Sequence, residues 1–485
     1  MADKIVITNI DEVYVHIKCS EGIAHEFHSY FEFMVPGAQF TPQYKAKLWN
    51  GKIYLFSLRT CQIYRGLVPY IIKFCQDRDY DYEYDNEIYD EEFSLDEARE
   101  FTKSLNIPLE VRDYQIDAFV HAIRTRRSLL LSPTASGKSL IIYLLMRKIN
   151  ADRILIIVPT ISLVSQLSSD FRDYGYDSDN LVHPIFAGKD KQSDKKVYIS
   201  TWQSLYKLPR AYFQQFDAVI GDEAHLYKSK EISALMGNMI NAKYRIGTTG
   251  TLDGTKTNKL ILEGLFGIVR KVTTTKELMD KKVVADFQIK CLLLKHNDSI
   301  CQAAKTFTYQ QEIEYLVMNN ARNNFISNLA VSLDCNTLIF YQYVEKHGML
   351  LRDIINSKIG TDRKCFFVCG QTDVEVRENT RLIIETEKNA IIIASYGVFS
   401  TGINIKNLHN IIFASPSKSR IRNLQSIGRG LRRSETKESA TLYDIADDIS
   451  WKKKKNYTLK HLEDRVKIYM EEKFKFKIYT IELKG

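Results

Sequence analysis

Three short stretches of this chain carry the residue types that can hold a polyphosphate and cleave it with water. In LLLSPTASGKSL (Leu129–Leu140) an apolar run turns through small residues into Gly137, Lys138 and Ser139, then directly into a helical pattern. Small side chains let the backbone N–H groups of Thr134, Ala135, Ser136 and Gly137 curl round a phosphate. The helix N-terminus adds positive potential, Lys138 reaches the terminal phosphates and Ser139 can hold magnesium. The general pattern has glycine where Ser132 stands, so the loop by itself is also compatible with an ordinary strand-to-helix turn. Its partners favour the phosphate reading. In FDAVIGDEAH (Phe216–His225) a buried-strand pattern runs into Asp222, suited to the same magnesium, and Glu223, suited to orient or deprotonate the attacking water. In QSIGRGLRR, Gln425, Arg429 and Arg432 are spaced so that both arginines share one helical face. Guanidinium groups fork onto phosphate oxygens and suit the charge that develops on a transferred phosphoryl group.

These residues need a scaffold that presents them at strand ends. From Leu105 to about Val283 short apolar runs (SLLLSP, RILIIVP, KVYIS, FDAVIGD, KYRIGT) alternate with helical stretches, which predicts a parallel, doubly wound sheet with ligands at the strand C-termini. A second set (TLIFYQ, CFFVC, AIIIAS, NIIFASP, TLYDIAD) repeats the alternation without a phosphate loop of its own. A lobe with the arginines but no loop is what a nucleotide site shared by two lobes requires.

The motifs and their order resemble the DExH-box helicases of superfamily two over roughly residues 110 to 447. RDYQ (Arg112 to Gln115) is similar to their adenine-reading element, PTASGKS to motif I and VPTISLVSQ to motif Ia. DEAH matches motif II, TGT (Thr249 to Thr251) stands at motif III, ASYGVFSTGINI is similar to motif V and QSIGRGLRR to motif VI. Ala135, Gly250 and Asn404 depart from the wider pattern. Within the superfamily, the leader and GINIKNLHNIIFASPSKSRIRNLQSIGRGLRR resemble the recombination and fork-remodelling helicases of tailed bacteriophages. The resemblance implies an α/β chain of two tandem RecA-like parallel-sheet lobes forming a helicase motor, preceded by a small α+β N-terminal domain. It implies ATP and Mg2+ as cofactors and DNA, branched or duplex-containing, as partner. Arg112 and Gln115 would read the base. Candidate DNA contacts are Thr160 and Gln166 in motif Ia, Thr201 and Gln203 in STWQS, and Ser395, Thr401 and Gly402 in motif V, whose hydroxyl, amide and backbone groups suit sequence-independent gripping. Thr and Ser at strand ends also serve as helix caps. Lys418, Arg420 and Arg422 form a basic run that is either solvated or phosphate-binding.

Before the motor, VYVHI and KIYLFSL read as strands, with EGIAHEFHSYFEF and GLVPYIIKFC as helices. Lys47 and Trp49 lie in a stretch from Tyr44 to Tyr54 that interleaves rings and cations, as base stacking with phosphate contact requires. A core tryptophan beside solvated lysines has the same composition, and the family resemblance tips the reading toward DNA. Residues 77–100 hold 2 Lys/Arg against 12 Asp/Glu, in a chain whose total is +9. This segment reads as a solvated connector in preference to a DNA-mimicking arm. The expected domains are 1–93 (leader with connector), 94–283, 284–447 and a basic helical tail, 448–485.

The 485 residues exceed one ordinary core, 45% hydrophobic content argues against disorder, and no apolar run approaches a membrane span of about 20 residues. The start lacks signal-peptide shape, so a cytoplasmic protein is expected, in an infected bacterial host if the phage resemblance holds. Eight scattered cysteines have no disulfide or zinc spacing, and Cys365 and Cys369 read as buried thiols of a strand. The expectation is a monomeric ATP-dependent DNA helicase or translocase that remodels forks, D-loops and four-way junctions in recombination and replication restart, alongside recombination or single-strand-binding proteins. An RNA helicase, or an ATP-gated clamp that binds without unwinding, are the rival readings.

Overall fold

Runs such as ILIIV (Ile154–Val158) and IIIAS (Ile391–Ser395) lack polar alternation, so as strands they must be covered on both faces. In the computed structural model both are interior strands of all-parallel sheets. The structure describes residues 4–84, 92–186, 190–227, 229–361, 363–397, 405, 407–415, 419–431 and 437–483, and of Val374, Arg377, Glu378, Ile421 and Arg429 the backbone alone. Two compact units divide the chain, Met1–Ser132 with Gly137–Val272, and Pro133–Ser136 with Thr273–Gly485.

The first unit opens with the leader. Strands β1 (Ile5–Asn9), β2 (Tyr14–Lys18), β5 (Gln62–Tyr64) and β6 (Tyr82–Tyr84) form a sheet in the order β5-β2-β1-β6, and β3 (Glu32–Met34) pairs with β4 (Lys52–Tyr54) as a hairpin. Helices Glu21–Tyr30 and Val68–Gln76 cover the sheet, with Pro69 in a first turn where its missing N–H costs nothing. The acidic connector is thus not all linker, because β6 pairs in parallel with β1.

Seven parallel strands follow: β7 (Arg127–Leu131), β8 (Ile154–Val158), β9 (Val182–Ile185), β10 (Val197–Thr201), β11 (Ala218–Gly221), β12 (Tyr244–Thr249) and β13 (Val269–Lys271), in the order β13-β7-β12-β11-β8-β10-β9. This is a RecA-like lobe. Its three central neighbours β7, β12 and β11 end beside the phosphate loop, motif III and DEAH respectively, which is how distant motifs come together.

The leader is welded to this lobe. One carboxylate, Glu12, takes Arg65 of the leader at 3.0 Å and Arg127 at the start of β7. The Tyr70 hydroxyl donates to Glu263 at 2.8 Å, and Leu260 of the lobe helix Lys256–Phe266 packs within the leader's own core. At Gly66 the approach is so close that a Cβ would lie 2.1 Å from the Glu263 carbonyl oxygen. Arg245 of β12, fully buried, spends its guanidinium on the carbonyls of Leu265, Met239 and Met236 at 2.9, 3.0 and 2.9 Å. A flexibly tethered leader is therefore not what the chain builds.

The second unit has β14 (Asp286–Lys295), β15 (Thr337–Tyr341), β16 (Cys365–Val368), β17 (Ile391–Ser395), β18 (Asn410–Phe413), β19 (Ser439–Asp448) and β20 (Lys475–Glu482), again all parallel, ordered β16-β17-β15-β18-β19-β14-β20. The tail is not a purely helical appendage. Its helix Tyr457–Glu471 is held through Arg465, which donates to Asp444 at 2.8 and 2.9 Å in full burial, and β20 adds a strand to the sheet beside β14. Cys365 and Cys369 are half-buried, because β16 is an edge strand. Among the described residues no helix is long and apolar enough to cross a membrane.

Candidate functional site

The phosphate loop leaves β7 with Ser132 N–H donating to the Thr249 carbonyl at 2.8 Å, so the loop is pinned to the end of β12. Ser136, buried, folds its hydroxyl back onto the Pro133 carbonyl at 2.6 Å. Ala135 has φ +67°, a left-handed conformation that explains why glycine is common there and leaves this chain with local strain. Gly137, at φ +83°, caps helix Lys138–Lys148, which presents Lys138 and Ser139 in its first turn. Gln115 is buried beneath it: its Oε1 accepts from Arg112 N–H at 2.9 Å and its Nε2 faces the Gly137 carbonyl at 3.4 Å, tying the RDYQ element to the loop. Arg112 itself donates to the Tyr114 hydroxyl at 3.2 Å. A Cβ on Gly137 would sit 2.4 Å from Gln115 Nε2. Gly137→Ala is therefore expected to weaken nucleotide binding by about tenfold or more, from the left-handed backbone penalty of ~1–2 kcal/mol plus that clash, and fluorescent-nucleotide titration reads it.

Opposite the loop, β11 ends at Gly221 and delivers Asp222 and Glu223. Burial and the adjacent Glu223 raise the Asp222 carboxyl above the usual carboxylate range, with Lys138 and a 2.8 Å bond donated by Thr248 pulling the other way. A carboxylate whose charge is disfavoured in this way is the hard oxygen donor that a divalent cation takes and relieves by its charge, which fits Asp222 as a magnesium ligand. Glu223 sits at φ 48°, ψ 49°, with Lys138 Nζ at 4.0 Å and His225 Nδ1 at 3.3 Å. His225 also meets the Thr249 hydroxyl at 2.9 Å, while that hydroxyl donates to the Thr251 carbonyl at 3.1 Å. Motifs II and III are thus joined through Thr248 and Thr249 despite Gly250. The roles of His225 and Thr248 were not legible from residue spacing; their signal was that DEAH and TTGT each follow an apolar strand.

The candidate nucleic-acid residues fare unevenly. Thr160 is the N-terminal residue capping helix Ile161–Asp173 in position, and its hydroxyl lies 3.0 Å from that of Ser162; Gln166 is half-buried on the same helix. Thr201 is buried, its hydroxyl 3.0 Å from Ser204, while Gln203 is exposed. Ser395 ends β17, half-buried. Arg420 is committed to Glu471 and, at 2.7 Å, to Glu472, and Arg422 lies 5.5 Å over the Tyr396 ring. These two arginines thus have partners inside the fold. Gln425 and the backbone of Arg429 lie on helix Arg420–Gly430. Thr401, Gly402, Lys418 and Arg432 lie outside the described residues. In the leader, the Trp49 indole donates to the Lys52 carbonyl at 2.8 Å, closing the loop between β3 and β4, and Lys47 is exposed at φ 56°.

Three family models match the chain in sequence order: DNA helicase UvsW, N-terminal, over residues 4–85; type III restriction enzyme, res subunit, over 108–254; and helicase conserved C-terminal domain, over 321–434. The chain is 36% identical over 499 residues to the ATP-dependent DNA helicase uvsW of Enterobacteria phage T4, with 98% of each covered. The crystal structure of T4 UvsW is similar with TM-score 0.53 and 33% identity, over 99% of this chain and 100% of that one. A more distant relative is the DNA 3'-5' translocase XPB2 of Sulfurisphaera tokodaii, 24% identical over 375 residues, 70% of this chain and 81% of that protein.

Proposed function

The chain belongs to the UvsW family of ATP-dependent DNA helicases, and from that premise we propose that it hydrolyses ATP to unwind or remodel branched DNA in recombination and replication restart. The observation that carries the reading is the cluster of Lys138, Asp222, Glu223 and Thr248 at the ends of neighbouring parallel strands. Lys138 and the loop N–H groups of Thr134 to Gly137 bind the phosphates, and Gln115 with Arg112 reads the base. Ser139 and Asp222 are the proposed magnesium ligands. Magnesium would neutralise charge on the phosphates; Glu223 accepts the proton of the attacking water. Gln425, Arg429 and Arg432 remain the proposed phosphate-facing side chains of the second lobe on sequence grounds. A monomer working in the host cytoplasm with recombination or single-strand-binding proteins fits this reading. ATPase stimulated by DNA and not by RNA, followed by strand displacement, tests it against the RNA helicase and the clamp.

The leader supplies the proposed choice of branched substrate. Its 35–51 segment leaves Phe40 74% and Leu48 82% exposed and carries the exposed Lys45 and Lys47, and exposed apolar side chains and cations in one segment suit an opened base pair with its phosphates. Trp49 serves that loop from within. Phe40→Ala with Leu48→Ala is expected to lower the ratio of junction to plain-duplex unwinding by about fivefold or more, from the ~1–3 kcal/mol of one base stack, at a single salt concentration. An unchanged ratio would remove the leader from substrate choice.

A further inference from the structure

Ser139 has a neighbour that the phosphate-loop chemistry does not account for. The Tyr174 hydroxyl lies 2.9 Å from Ser139 Oγ, although Tyr174 belongs to a different helix. It closes the C-terminus of helix Ile161–Asp173, the helix that begins behind Thr160 and carries Gln166. Its ring is buried and fixed: it packs 5.3 Å from the ring of Tyr143, one helical turn beyond Ser139, and Tyr143 is held in turn by Phe171 at 5.5 Å and by a bond from Arg147 at 2.6 Å. A phenol hydroxyl can both donate and accept a hydrogen bond.

A serine hydroxyl that ligates a divalent cation gives the metal a lone pair and must send its proton elsewhere. An acceptor held on the far side of the oxygen does two things: it takes that proton, and it fixes the rotamer that leaves a lone pair free. Geometry puts the Tyr174 oxygen within reach of that task. We propose that Tyr174 is a positioning residue for the metal-ligating hydroxyl of Ser139, and that it fastens the metal site to the helix carrying the motif Ia contacts. The inference rests on the reading of Ser139 as a magnesium ligand and adds the residue that aims it.

The test uses the full chain and equilibrium binding of a fluorescent ADP, titrated with magnesium chloride, so that no turnover is needed. Tyr174→Phe keeps the ring and its packing. It is expected to raise the half-saturating magnesium concentration about 3- to 10-fold, the factor for one net hydrogen bond, with magnesium-free nucleotide binding unchanged. Ser139→Ala should raise it at least as far, and Tyr174→Phe should add nothing on that background, because the two act through one contact. Tyr143→Phe removes a buried phenol that meets the Tyr174 backbone carbonyl at 3.5 Å but not Ser139, so it tests the packing and hold on Tyr174 without its hydroxyl and should leave the magnesium dependence alone. A wild-type curve for Tyr174→Phe beside a shifted Ser139→Ala overturns the inference and spares the ligand assignment. A wild-type curve for Ser139→Ala overturns the assignment itself. Equal shifts from Tyr174→Phe with and without Ser139, or a matching shift from Tyr143→Phe, would mean that the tyrosine acts by packing.

Discussion

Glu223→Gln is expected to lower single-turnover ATP hydrolysis about 10²- to 10⁴-fold while the nucleotide still binds, the range for losing a positioned general base. The substitution keeps the size of the side chain and the acceptor oxygen but removes the ability to take a proton. Asp222, one residue earlier at the end of β11, keeps its bond from Thr248 and its place beside Lys138, so the proposed metal ligand survives. Glu223 also has a second duty to be separated from the first. It occupies a left-handed backbone position and lies near both Lys138 and His225, so it could hold the site together as well as act in it. Glutamine tolerates neither position worse than glutamate in backbone terms, and a neutral amide can still accept a bond from Lys138. Nucleotide affinity within a few-fold of wild type, with hydrolysis nearly lost, marks water activation. Affinity falling in step with rate would make Glu223 structural and leave the base to be found elsewhere.

Much of the motor was legible because its signals are local. A buried parallel strand is a continuous apolar run, and the residues with chemistry come directly after it, so RSLLL, ILIIV and AVIG announce both the strand and the motif. IVITN and DFQIKCLLLK escaped although their apolar residues are local, whereas other missed strands depend on a distant partner. VHPI contains a proline and survives only at the edge of its sheet; YEY sits in an acidic stretch and is a strand because β1 offers a free edge; KFKIYTIE alternates lysine with apolar residues and looks like the end of a basic tail until β14 pairs with it. Single residues also have partners that their neighbours in the sequence did not announce. Trp49 has the composition of a DNA-stacking residue, yet its indole closes a loop. Arg420 belongs to a basic run, yet two glutamates 51 and 52 residues later claim it. Arg245, inside the strand KYRIGT, gave no sign that its charge would be buried, since the carbonyls that satisfy it come from the ends of other elements.

The seam between leader and motor gives the largest expected effect on stability. Glu12→Ala should destabilise the first unit by about 3–5 kcal/mol, the cost of breaking a buried ion pair from one side. Glu12 is a carboxylate that Arg65 and Arg127 share, and all three side chains are at most 14% exposed. Arg245 lies close enough that Arg127 depresses its charge, so removal of Glu12 leaves a cluster of like charges in a low-dielectric seam. Burial drives the Arg245 guanidinium down to about 9, and Glu12 is among the groups that oppose this. Arg127 still donates to the Glu12 backbone carbonyl, which moderates the loss. Glu12→Gln keeps an acceptor without the charge and should fall between wild type and alanine. In a thermal melt the alanine variant should come down by roughly 6–12 °C for a loss of 3 kcal/mol in a unit of this size. The same seam argues against removing residues 1–93 to study the motor. A chain beginning at Ser94 would bare Leu260, strip Tyr70 from the buried Glu263 and leave Arg127 without its carboxylate, so its failures would report misfolding before substrate choice. Melting of Glu12→Ala within 2 °C of wild type would show that the ion cluster is worth little here, and that the leader is held by its other contacts, Leu260, the Tyr70–Glu263 bond and the close backbone approach at Gly66 among them.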